Sequence, residues 1–167
     1  MIQITAWNEV YSPIENPGND FSELAVKTTG SQTGLLGLAA DTEYWKTSGS
    51  MQLTFTVPSA ITWDQWLDWA LSRWTTVSKE DVRNSPEIYI GMPIVELAML
   101  SSSVFFGRDA AIKLSENFRN LKNQPYPLPK PENFSDPVER AYWHVFWNLD
   151  SCLDLATGDG ALIMRVS

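Results

Sequence analysis

The sequence predicts an α+β fold, with an N-terminal antiparallel sheet packed against a helical C-terminal half. Three observations predict it. Period-two alternation of apolar and polar residues is concentrated before residue 58. Capped segments of helical period follow, through the middle and up to residue 156. The chain then closes on ALIMRV (161–166), a strand segment that can rejoin the first sheet. At 167 residues, 44% of them hydrophobic and only 19% charged, the chain reads as one globular domain over 1–167 with a substantial core.

In order, residues 1–7 read as a strand, with Ile2, Ile4 and Ala6 alternating against Gln3 and Thr5. SPIENPGND (12–20) is a turn-rich loop. Residues 21–28 suit a second strand or a helical turn. TGSQTGLLG (29–37) is loose and lacks the glycine spacing of a phosphate loop. Residues 41–45 are extended and KTSGS (46–50) is a hairpin loop. Residues 51–57 give the clearest strand, with Met51, Leu53, Phe55 and Val57 on one face, and Pro58 ends it.

Thr62 and Gln65 have capping-box spacing and open a helix over 62–74. Its apolar face is Trp63, Trp66, Leu67, Ala70, Leu71 and Trp74. Asp64 and Asp68 lie on the other side, and Trp69 falls outside the apolar stripe. Residues 78–85 suit one helical turn and 87–91 a short strand. A buried helix is predicted over 93–106, with Glu96 as its only charge, solvated or dipole-stabilised in the first turn. Asp109 caps a further helix to residue 123. PYPLPKP (125–131) reads as a polyproline-like connector.

The helix over 137–156 organises the chain. Asp136 is the N-cap, Pro137 sits at the first helical position and Glu139 has capping-box spacing. Val138, Tyr142, Val145, Leu149, Cys152, Leu153 and Ala156 form a core-facing stripe. Gly158 or Gly160 ends it. The opposite side carries Glu139, Trp143, Trp147, Asp150 and Asp154. Two readings follow. Another segment covers the rings and the helix is central, or an exposed aromatic and acidic patch grips a partner.

The net charge is −8. Such a surface repels nucleic-acid phosphates and attracts basic proteins. The charge is uneven: residues 1–70 balance to −6, 71–130 to +2 and 131–167 to −4. One cysteine and one histidine exclude an internal disulfide, a cysteine-cluster zinc site and a histidine pair on a metal, so no cofactor is expected. Cys152 and His144 stand about 12 Å apart along the helix and point to different sides, so they make no catalytic pair. No signal peptide or membrane span is visible, and the cytosol is the expected compartment.

These features suit a small acidic non-enzymatic protein that blocks a basic or nucleic-acid-handling macromolecule. Toxin-immunity proteins and phage-encoded inhibitors of defence complexes, including DNA mimics, share this composition at the level of class. The expected binding residues are Trp143, Trp147, Asp150, Asp154 and Glu139, with Asp64, Asp68 and Trp69 as a second group. The rivals are an enzyme with a scattered site using His144 as general base, marked by a deep polar pocket, and a structural subunit, marked by a large apolar face.

Overall fold

A computed structural model describes residues 1–13, 21–28, 42–89, 92–99 and 105–166. The loop at 29–37 and most of the loop at 12–20 lie outside the described residues. Within them run strands β1 (Ile2–Trp7), β2 (Val10–Tyr11), β3 (Phe21–Lys27), β4 (Glu43–Thr47), β5 (Gln52–Thr56), β6 (Phe105–Phe106) and β7 (Ala161–Val166). The helices are α1 (Trp63–Trp74), α2 (Lys79–Asn84), α3 (Pro86–Tyr89), α4 (Arg108–Lys122) and α5 (Pro137–Ala156). The fold is α+β, and the last strand does rejoin the sheet.

One sheet has the order β5-β1-β7-β6 and a smaller one the order β2-β4-β3, both antiparallel throughout. Because side chains alternate, the larger sheet serves two cores. Ile4, Ala6, Phe55, Leu162 and Met164 face the helices. Trp7, Ala161 and Ile163 face the other way and pack with Val10, Ala25, Val26 and Tyr44 of the small sheet. The large sheet is therefore a middle layer, with α5 against one face.

α1 begins with the predicted reciprocal cap between Thr62 and Gln65. α5 begins at Asp136, whose carboxylate accepts from the Glu139 amide at 3.0 Å. It ends at Ala156, and the Gly160 amide donates back to the Ala156 carbonyl. A Cβ on Gly160 would lie 1.9 Å from the Trp7 carbonyl oxygen, so only glycine lets this turn pass the first strand.

Several expectations are corrected. Residues 93–106 are not one helix: a 3₁₀ turn covers Val95–Met99, and Phe105–Phe106 pairs with Ile163 and Leu162 of β7. Two adjacent phenylalanines favour a strand over a helix, and the edge of β7 offers the partner. Residues 87–89 of the predicted strand over 87–91 are helical instead, because Pro86 presets a helical φ and 86–89 form a helical turn; residues 90 and 91 lie outside the described residues. Asp109 is not a cap; Gly107 takes that position and Asp109 lies in the first turn. Glu96 is not solvated. It is buried and ion-paired with Lys113, which a sequence pattern could not show across seventeen positions.

Leu149 is fully buried at the middle of α5. Leu149→Ala should cost about 2–5 kcal/mol through lost transfer energy and a residual cavity. Gly160→Ala should cost about 1–3 kcal/mol, since its methyl collides with backbone rather than with a movable side chain. Denaturant titration checks both, and a loss near zero for Leu149→Ala would place the stripe in solvent.

Candidate functional site

The aromatic and acidic side of α5 is covered. Trp143 is only 1% exposed. It packs edge-on to Trp69 at 5.1 Å and to Trp74 at 6.3 Å, and the Arg73 guanidinium lies 4.9 Å from its ring centre. Trp147 is half-buried under the proline-rich connector. Its indole N–H donates to the Pro129 carbonyl at 2.8 Å, and Lys130 Nζ sits 3.2 Å from its ring centre. Asp150 is 9% exposed and bound to Lys122 at 2.8 Å, while its Oδ1 is buried without a hydrogen-bond partner.

The expected exposed patch on α5 is thus corrected for Trp143 and Asp150, which face the interior. Covering a pair of Trp rings requires large apolar surface from elsewhere, and α1 and the connector provide it. Only Asp154 of that group is exposed; it accepts from Ser115 Oγ at 2.6 Å. Glu139 is half-buried.

The second group is the one that meets solvent. Asp64 and Asp68 are exposed one turn apart on α1. Arg83 Nη2 reaches Asp64 at 3.1 Å and Lys79 Nζ reaches Asp68 at 2.8 Å. Trp69 is half-buried and stacked flat on Tyr142, with ring centres 5.0 Å apart.

His144 lies apart from both groups. A pocket of about 210 Å³ reaches it, lined also by Pro58, Ser59, Ala60, Pro137 and Arg140. The lining carries no carboxylate. The imidazole meets Phe55 edge-on at 6.5 Å, and among the described residues it has no hydrogen-bond partner. Arg140 is committed elsewhere and donates twice to the Phe134 carbonyl, at 3.1 and 2.8 Å. Without an orienting acceptor among the described residues, the imidazole is not held in one tautomer. Burial pushes the Cys152 thiol up to about 12, so it stays a protonated core group.

No three His, Cys, Asp or Glu side chains gather as metal ligands among the described residues. No described helix is long and apolar enough to cross a membrane. No family model, curated protein or solved structure matches the chain.

Sequence reasoning missed Arg73, Lys113 and Lys122 as the groups that satisfy the buried rings and carboxylates. Their signal was weak: each is a single cation on a helix flank, and its partner lies far along the chain.

Burial lowers the His144 pKa below its ordinary value near 6.5. The folded state therefore favours the neutral ring. Stability is full above the unfolded value and falls as pH drops below about 6.5 towards the lower folded value. With one histidine in the chain, its ring proton resonance should titrate with a midpoint under 6.5. A midpoint at or above 6.5 would show that the ring is solvated or paired with an acid.

Proposed function

We propose that this chain is a small acidic, non-enzymatic binding protein that blocks a basic or nucleic-acid-handling macromolecule. The observation that carries the reading is the outer side of α1. Asp64 and Asp68 stand exposed one turn apart beside the partly open Trp69 ring, on a chain of net charge −8. The carboxylates steer a cationic surface in, and the ring offers apolar contact once it arrives. Their present partners are Arg83 and Lys79; the Arg83 pair is open to water and contributes about 0–1 kcal/mol, whereas the Lys79 side chain is itself only 13% exposed. A hydrolytic site round His144 has less support, because its pocket offers Ser59 but no carboxylate to orient the ring.

Cross-linked capture from the native host, with the partner identified by mass spectrometry, comes first. Asp64→Asn/Asp68→Asn should then melt within a few degrees of the unaltered chain and associate several-fold more slowly at low salt. The difference should narrow as the Debye length shrinks below about 10 Å. A double variant that associates as fast as the original at low salt would remove α1 from the binding face.

A further inference from the structure

The outer edge of β5 carries backbone groups that have no partner among the described residues. Val57 N donates to the Ile2 carbonyl at 2.9 Å, and Asn8 N donates to the Met51 carbonyl at 3.3 Å. With the register Ile4 to Phe55 and Ala6 to Leu53, residues 51, 53, 55 and 57 spend their backbone groups on β1. The N–H and C=O groups of Gln52, Thr54 and Thr56 therefore point outwards. No hydrogen bond reaches them from any other described element. The side chains agree with this. Phe55 and Val57 are buried on the helix side, whereas Leu53 is 41% and Met51 62% exposed on that side.

Natural edges of this kind are usually blunted by a proline, a lysine or a bulge. Residues 52–56 have none of these, and their pairing with β1 is regular. The stretch 51–58, MQLTFTVP, holds no charge at all on a chain of net charge −8.

We propose that β5 is the docking edge for a second copy of this chain, the two strands pairing antiparallel about a twofold axis at Thr54. Three features select this occupant. First, the register is self-complementary. Thr54 meets Thr54 of the second copy and Gln52 meets Thr56, which satisfies all the outward amides of both copies. Second, Leu53 then lies opposite Phe55 and Met51 opposite Val57. These become the closely spaced, non-hydrogen-bonded pairs, so each exposed apolar side chain gains an apolar neighbour. Third, the uncharged edge gives a charged foreign strand nothing to pair with, and it spares two acidic copies their mutual repulsion. The two sheets join as one antiparallel sheet in the order β6-β7-β1-β5-β5-β1-β7-β6.

A strand pair this short buries less area than a standard stable interface, so the dimer is weak and forms by mass action. The inference does not rest on the proposed inhibitory role, and its readouts need no partner.

Sedimentation velocity over a concentration series tests it, with Thr54→Pro, Leu53→Lys and Thr54→Cys variants. The unaltered chain should move from monomer towards dimer as concentration rises to about 500 µM, a range that detects even weak association. Thr54→Pro removes an outward N–H that serves no bond within the described chain, together with the hydroxyl contact to Thr5, and Leu53→Lys puts a charge on the edge while leaving that contact in place. Both should stay folded by circular dichroism and monomeric throughout. Thr54→Cys should form a disulfide-linked dimer under mild oxidation, because opposed residues in such a pair stand about 5.5 Å apart, within disulfide reach. Ser72→Cys, exposed on α1, should not. An unaltered chain that remains monomeric at the highest concentration overturns the proposal. So does a dimer that persists in either folded edge variant, or cross-linking that is as efficient in Ser72→Cys as in Thr54→Cys.

Discussion

Everything in the helical half depends on covering α5 on more than one side. From Val145 to Ala156 the stripe predicted to face the core is buried, whereas Val138 is exposed and Tyr142 stacks on Trp69 of α1, and the side carrying Trp143 needs a second cover. α1 supplies it with Trp66, Trp69 and Trp74. The contact is tied by one polar bond: Trp66 is wholly buried, and its indole N–H donates to the Tyr142 carbonyl at 3.0 Å. A buried indole needs an acceptor, and a helix carbonyl has a second lone pair to offer. Flat stacking of Trp69 on Tyr142, and of Phe118 on Phe146 at 4.8 Å, continues the web across α5 to α4. Arg73 closes the web towards solvent, within 5.8 Å of three indole centres.

The uneven charge along the sequence finds its explanation inside the molecule. The middle segment carries the cations, and they reach acids of the flanking segments: Lys79 to Asp68, Arg83 to Asp64, Lys122 to Asp150, Arg108 to Asp159. Lys113 reaches Glu96 within the segment itself. Lys130 and Arg73 lie over indole rings instead. The pairs differ in weight. That of Asp64 with Arg83 is open to water and adds little, whereas in that of Asp68 the carboxylate is exposed and the Lys79 side chain is mostly covered. Those of Asp150 and Glu96 involve buried carboxylates, each with one oxygen left without a partner, so losing the lysine would strand a charge in the interior.

What was legible in the sequence was whatever local chemistry decides. The caps of α1 and α5, the alternation of β1 and β5, and the buried stripe of Leu149 all follow from spacing alone. What was not legible depends on contacts far apart in the chain. A run such as Val95 to Phe106 is apolar enough for a helix, and only the free side of β7 turns its end into a strand. Trp143 shares a helix face with acids, so the covered and the exposed readings both stand until α1 is laid against it. Glu96 and Asp150 look solvated until lysines of α4 are brought within reach. Of the two readings of the α5 side, cover by another segment holds for Trp143, and Asp150 is buried with it, for the same reason: adjacency along a helix is not adjacency on a surface.

The contrast between the two halves of β5 completes the account. Along one face of one strand, cover stops between Phe55 and Leu53. Phe55 is held by the helices, with the His144 ring against it at 6.5 Å, while Leu53 is left partly open. The same strand gives its other face to polar ties: Gln52 Oε1 accepts from Trp7 Nε1 at 3.0 Å and from Lys46 Nζ at 3.1 Å, and Thr54 pairs with the buried Thr5 hydroxyl at 3.0 Å. Those ties fix the strand's twist and register from behind. The outward amides are therefore held in strand geometry without any partner from the described elements. An edge that is rigid, uncharged and half apolar loses little conformational freedom on pairing, because its ordering is already complete in the monomer.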